Sequence, residues 1–525
     1  MSKISRRTAM RLGLGAGGTA IASAAFSNLG YAQVFSDDSS YRSRSLPPFY
    51  ARDFRYQSPL LPVRSDSNTD YYEIRMQKGS AEILPNIQTE IWGYSGMVPG
   101  PLIYQQLGRQ SVVRFINNLG TDSQNRKIHT SVHLHGSASL PQYDGWADDI
   151  TNPGQYKDYI FPNNRAATLW YHDHGVHRTA VNAYMGLAGN YIVADPNENP
   201  NIPKGEFDVP VVLSDKLLAR NGRIVYADSG EKDVFGDIVL VNGVPWPRMA
   251  VKRTKYRFRF CNTGISRAYI LKLGNGQPLT VIGTDAGLLP SPVQTNILTI
   301  GVGERYEVVI DFANYSAGTQ IELLSNDVLN DTAFASTRKI MRFDVVGGAV
   351  SYNPPLPSFL RNDGFDFNRK RQELLSRVVR RREFVFGRDN LQSQWTVNGR
   401  TWANGGLEAN PQVGDVEIWK FVNGGGGWHH PIHVHLVDML ILSRNKRRRV
   451  QPYELGWKDV FFMDEGADIE VVAQFGPHSG KYMMHCHNLV HEDHDMMRAF
   501  EVGQGGPDPV TTAPAKPYNS SVPPL

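Results

Sequence analysis

Three stretches of the chain repeat one pattern: Val112-Val113-Arg114-Phe115-Ile116-Asn117, Tyr256-Arg257-Phe258-Arg259-Phe260-Cys261-Asn262 and Glu417-Ile418-Trp419-Lys420-Phe421-Val422-Asn423. Each ends in asparagine and follows a Gly-containing turn, at Gly96 to Pro101, Asn242-Gly243-Val244-Pro245 and Asn398-Gly399. A second apolar run comes later in every unit, at Tyr156 to Pro162, Tyr306 to Phe312 and Ile469 to Phe475. Alternating apolar and polar residues bounded by turn formers read as short sandwich strands. Their threefold recurrence predicts an all-β chain of three β-sandwich units, each about 150 residues long. Linkers rich in Pro and Asn near Asp195 to Lys204 and Tyr352 to Gly364 divide it into expected domains at 45–195, 205–350 and 365–510, with a flexible tail at 511–525.

The bulk numbers agree. At 525 residues the chain is too long for one core, and a prior of roughly 150 residues per domain gives about three. With 20% charged residues, 49 Gly and 32 Pro it is loop-rich and globular, and a net charge of +4 argues against a nucleic-acid partner. Two cysteines, Cys261 and Cys486, cannot supply a disulfide framework, so a metal-ligand role for one is considered. The N-terminus carries a twin-arginine pattern, Ser5-Arg6-Arg7-Thr8-Ala9-Met10, then a mildly apolar run from Leu12 to Phe26 and a cleavage point after Ala32. Residues 1–32 are therefore expected to be a signal peptide read by the twin-arginine export machinery, which carries folded proteins to the periplasm or beyond the cell. No later stretch is long and apolar enough for a membrane span.

All 15 histidines fall between His129 and His177 or between His429 and His494. Four pairs are spaced i, i+2: His133/His135, His172/His174, His433/His435 and His485/His487. Residues two apart on a strand face the same way, so each pair presents two imidazoles in one direction, and eight can converge. Imidazole suits copper, which stands highest in affinity among the common divalent ions. In His485-Cys486-His487 the thiol faces away from both neighbours and must serve a different metal. Cys486, His491, Met496 and the upstream His430 supply two imidazoles, a thiolate and a long axial thioether, the set of a blue-copper electron-transfer site.

These motifs, HLHG at 133–136, WYHDH at 170–174, HPIHVH at 430–435 and HCHNLVHEDHDM at 485–496, resemble those of the multicopper oxidases, the family of laccases and bilirubin oxidases. Asp144-Gly145-Trp146-Ala147-Asp148 and Trp428-His429-His430-Pro431 look most like the bilirubin oxidase and spore-coat laccase branch. The resemblance implies three cupredoxin-like Greek-key domains and four copper ions: one type-1, one type-2 and two type-3. It implies that His133 and His433 hold the type-2 ion, that His135, His172 and His487 hold one type-3 ion, and that His174, His435 and His485 hold the other. The middle domain, with Ile321-Glu322-Leu323-Leu324-Ser325-Asn326 where a ligand strand would be, is expected to be a copper-free spacer. The implied reaction couples four one-electron oxidations of phenols, aromatic amines or bilirubin-like tetrapyrroles to the reduction of dioxygen to water.

The family pattern also places Asp144 by the type-2 copper and Glu492 beside His491 on the oxygen side, as proton relays or as hydrogen-bond partners of histidines. Met496 is preferred to Met497 as axial ligand by its spacing from His491. His129, His177, His429, His478 and His494 fall outside the motifs and are expected to be surface or supporting residues, and Cys261 a buried free thiol. The basic run Arg369 to Arg382 reads as a solvated helix or loop rather than a docking site. The loop Arg444 to Arg449 is expected near the substrate mouth, favouring anionic donors. The alternative activity is oxidation of cuprous or manganous ions, disfavoured because the 13 methionines form no rich insertion before the last motif. A ligand-free scaffold and a two-domain-type nitrite reductase fit the histidine motifs less well.

Overall fold

The fold is known from a computed structural model that describes residues 45–525 apart from 227, 229–232, 330, 349, 351, 390–393, 446–448, 520 and 524. The signal peptide expected at 1–32 lies outside the described residues. The strands form six sheets, which fall two to each third of the chain. Among the described residues α-helix is confined to Thr179–Met185, Phe367–Leu375 and Leu489–Asp493, and no helix is long and apolar enough to cross a membrane. The chain is all-β, and its three successive units are cupredoxin-like.

The three repeated stretches occupy equivalent places. Gln110–Asn117 lies between Thr69–Glu82, which it meets in parallel, and Gln155–Phe161, which it meets antiparallel. Lys255–Asn262 sits likewise between Asp208–Lys216 and Arg305–Asp311, and Val416–Asn423 between Val378–Asp389 and Asp468–Gln474. The terminal asparagine closes each unit in one way. Asn117 Nδ2 donates to the carbonyls of Ile128 and Thr151 at 2.9 and 2.8 Å, Asn262 Nδ2 to those of Arg267 and Ile300 at 2.9 and 3.2 Å, and Asn423 Nδ2 to those of Trp428 and Asp464 at 2.8 and 3.1 Å. In every copy the asparagine Oδ1 accepts from the backbone two residues on. A buried side chain with two donors and an acceptor satisfies three backbone groups that the end of the strand leaves unpaired.

One apolar core runs continuously through the first and middle units, from Tyr72 and Phe115 to Phe258 and Phe343, while Trp419, Phe461 and Phe500 centre a separate core in the last unit. The tail differs from expectation. Lys516–Pro517 adds a strand to the edge of Gln155–Phe161, Tyr518 N donates to the Gly154 carbonyl at 2.8 Å, and Arg75 Nη2 donates to Tyr518 Oη at 2.9 Å. An open sheet edge in the first unit supplies backbone partners that the tail's composition does not reveal. The basic run 369–382 is a surface helix only as far as Leu375. From Val378 it is a strand, in which Arg382 pairs with both carboxylate oxygens of Glu417 at 2.6 and 3.0 Å.

Candidate metal centre

Cys486 ends the strand Gly480–Cys486, opposite Ile432 of His430–Val434. After it the chain turns through the short helix Leu489–Asp493, whose first turn is capped by the Asn488 side chain accepting from Val490 N. That turn folds His491 back over the thiol. Cys486 Sγ lies 3.4 Å from His430 Nδ1 and 3.7 Å from His491 Nδ1, and the two nitrogens are 3.2 Å apart. The centre of a triangle of that size is about 2 Å from each corner, the length of a metal–imidazole bond. Met496 shares the buried apolar cluster of Cys486 and Trp395, whereas Met497 packs with Ala147 and Met483 elsewhere, which favours Met496 as the thioether facing this site. Trp395 stacks on His491 at 3.8 Å between ring centroids.

The eight paired histidines converge on the other side of the strand. His133 and His135 lie on Val132–His135, in register with His172 and Trp170 of Ala167–Asp173. His433 faces His485 across the equivalent pair of strands in the last unit. The structure brings together His135, His172 and His487 as one group and His174, His435 and His485 as another, with His133 and His433 joined through 3.4 Å between their Nε2 atoms. His174 Nε2 and His435 Nε2 each lie 3.2 Å from His485 Nε2, and His135 Nδ1 lies 3.1 Å from His487 Nε2.

These contacts are unfavourable without a cation. His133, His433 and His172 direct Nδ1 to the backbone carbonyls of Asp144, Asp459 and Asp173, and His435 directs Nδ1 to Asp144 Oδ2 at 2.7 Å. A neutral imidazole has one N–H, so a ring that donates through its outer nitrogen aims a lone pair inward. Burial, reinforced by neighbouring histidines, holds His133, His135, His433, His435 and His487 well below the ordinary histidine range and takes His172 to about 3. His174 falls to about 4 by burial, despite Glu492. A set of neutral rings with converging lone pairs fits bound copper.

Two carboxylates back this set with opposite electrostatics. Asp144 stands between His133 and His435, whose rings stack at 3.9 Å, and burial pushes its carboxyl well up. Glu492 Oε2 lies 2.9 Å from His485 Nδ1, and Oε1 lies 3.5 Å from His174 Nδ1. Burial alone would raise Glu492, but His485 and His174 hold it down to about 2. A third carboxylate has no counterpart in the sequence motifs. Asp459 meets His135 Nε2 through Oδ1 at 3.1 Å and is gripped by Arg305 of the middle unit. Gly303 of the same unit lies against the His487 ring. The middle unit brings no histidine, yet it is more than a spacer, because its 301–305 turn packs directly on the cluster. No spacing rule links Asp459, Arg305 and Gly303, so only the docking of three units reveals them.

Outside the cluster, His429 is buried with Nε2 2.6 Å from Asp331 Oδ1, and His494 Nε2 lies 2.7 Å from Asp228 Oδ2. His177 Nδ1 meets the Asp493 carbonyl, and the half-buried His129 has Nε2 3.3 Å from the Val176 carbonyl. Cys261 is a buried free thiol beside Trp170. In the loop expected to favour anionic donors, Arg444 turns inward, Nη2 donating to Glu454 Oε1 at 2.6 Å and Nη1 to the Phe462 carbonyl at 2.5 Å. Residues 446–448 lie outside the described residues.

Three family models described as Multicopper oxidase match residues 75–198, 210–324 and 377–506. The chain is 42% identical over 491 residues to a bilirubin oxidase of Albifimbria verrucaria, covering 89% of this chain and 81% of that one. It is 32% identical over 499 residues to a laccase of Bacillus subtilis (strain 168), covering 84% of this chain and 96% of that one. Among solved structures, a laccase from Pediococcus acidilactici superposes with a TM-score of 0.75 at 28% identity, covering 87% of this chain and 95% of that one.

Proposed function

This chain belongs to the multicopper oxidase family and is a copper oxidoreductase with dioxygen as acceptor; on that footing we propose that it binds four copper ions and takes its electrons singly from small organic donors. One ion is assigned to His430, Cys486, His491 and Met496, one to His133 and His433, and one to each of the two histidine triples. Bound copper supplies one-electron acceptance at the thiolate site and four-electron reduction of dioxygen at the cluster. The remainder is the chain's own work. Cys486 is peptide-bonded to His485 and His487, so two donor sets on opposite faces of one strand share a continuous backbone. That juxtaposition is the observation that carries the proposal.

Asp144 and Glu492 are proposed as the proton groups. Asp144, whose carboxyl burial pushes up, and Glu492, which its histidines hold down to about 2, face the histidine set and are placed to hand protons to it and take them from it. The relatives named laccase and bilirubin oxidase support phenols, aromatic amines or bilirubin-like tetrapyrroles as donors. Oxidation of cuprous or manganous ions is less well supported, since Met483, Met484, Met496 and Met497 are all buried. The twin-arginine pattern supports export of the metal-loaded, folded chain to the periplasm or beyond. Purified protein should be blue, contain four coppers per chain, and consume dioxygen faster with phenols or bilirubin than with cuprous or manganous ions. Colourless protein when fully loaded, or fewer than four coppers, would overturn the assignment.

A further inference from the structure

Arg305 begins the strand Arg305–Asp311 of the middle unit and is wholly buried. Its guanidinium forms a two-pronged pair with Asp459 of the last unit, Nη1 to Oδ1 and Nη2 to Oδ2, both at 2.6 Å. The remaining donors are also used: Nε donates to the Thr168 carbonyl of the first unit at 3.0 Å, Nη2 to the Asp285 carbonyl at 3.0 Å and Nη1 to the Gly303 carbonyl at 3.1 Å. The planar fork therefore fixes the Asp459 carboxylate in both position and rotation. Asp459 in turn touches two cluster histidines, through Oδ1 to His135 Nε2 at 3.1 Å and through its backbone carbonyl to His433 Nδ1 at 2.8 Å.

Of the eight paired histidines, His135 is the one whose inward contact runs through Nδ1; its Nδ1 lies 3.1 Å from His487 Nε2, whereas the other close contacts within the set run between Nε2 atoms. We propose that Arg305 is a positioning residue for the cluster: by locking Asp459 it holds His135 as the Nε2–H tautomer, so that the Nδ1 lone pair faces the metal. The proposal rests on the copper-binding reading of the histidine set. A buried ion pair adds little net stability once desolvation is counted, so the distinctive effect of this pair is geometric. Partners that orient a ligating histidine typically contribute about 10–100-fold to metal affinity.

The test compares Arg305→Gln and Arg305→Lys with the wild-type chain, each loaded with copper and then dialysed against a chelator, reading copper per chain, the type-1 and type-2 electron paramagnetic resonance signals and the melting temperature. The expected result for Arg305→Gln is cluster copper retained about 10–100-fold less tightly, with the blue type-1 copper kept. Arg305→Lys, which keeps the charge but not the fork, falls between. Wild-type retention and signals in Arg305→Gln overturn the proposal. So does loss of blue and cluster copper in parallel with a collapsed melting temperature, which marks a packing role alone. Should Arg305→Gln fail to fold, selective cluster loss in Arg305→Lys supports the proposal and wild-type retention there overturns it. A wild-type chain that takes up only the type-1 ion defeats the copper-cluster reading itself, a result distinct from any difference between variants.

Discussion

Replacing Gly303 by alanine tests the contact between the middle unit and the cluster at its narrowest point. Gly303 adopts φ of +83°, and a Cβ built there would stand 2.9 Å from His487 Cδ2, 3.0 Å from Cγ and 3.1 Å from Nε2. Carbon contacts settle near 3.5–4.0 Å, so the ring would have to retreat by roughly 0.5 Å or more. The backbone has little room to yield instead, because Gly303 N donates to the Asn262 carbonyl at 2.9 Å and the Gly303 carbonyl accepts from Arg305 at 3.1 Å. Metal–ligand distances tolerate only about 0.2 Å, so His487 should lose proper coordination. The left-handed backbone adds roughly 1–2 kcal/mol of strain. Gly303→Ala should therefore retain the blue absorption of the Cys486 site, hold cluster copper about 10–100-fold less tightly and consume dioxygen correspondingly slowly. Copper per chain after dialysis, measured beside the blue band and oxygen uptake, decides the matter. Full retention with wild-type uptake would refute the close packing of the turn on His487.

Two further outcomes follow from the carboxylates. Glu492→Gln should leave the blue absorption and copper content intact while slowing dioxygen reduction, because the carboxylate between His485 and His174 is lost as a proton group; unchanged turnover at full copper occupancy would remove its relay role. Glu307 is buried, which alone would raise its pKa, but Arg257 and Arg259 bring it from 4.5 to about 2. A depressed folded-state pKa means that its stabilisation is complete above about 4.5 and fades as pH falls toward 2. The melting-temperature gap between wild type and Glu307→Gln should accordingly be full at neutral pH and shrink on acidification below pH 4.5. A gap that widens in acid would contradict the ion-pair account.

The strand repeats and the histidine pairs were legible because both depend on periodicity within one strand. Asn117, Asn262 and Asn423 mark equivalent strand ends, and their hydrogen bonds explain why the same residue recurs at each. The alternation of faces around Cys486 likewise needs nothing beyond the pleat. Arg305, Asp459 and Gly303 were illegible because their meaning comes from how three units dock, and a lone arginine, aspartate or glycine has no period. Arg444 shows the converse error. A basic loop suggested a substrate mouth for anionic donors, but the buried carboxylate of Glu454 in the same unit draws its first residue inward. The tail followed the same logic, since an edge looking for a partner is a property of the sheet and not of the segment that fills it.

Because residues 516–518 end against the strand Gln155–Phe161, the chain closes on itself. The outer units are joined twice, once through the middle unit and once by this direct lashing, so neither can swing away as a hinged flap. The second tether raises the local concentration at which the two halves of the shared pocket meet, which favours an assembled cradle over two separate lobes when ions enter.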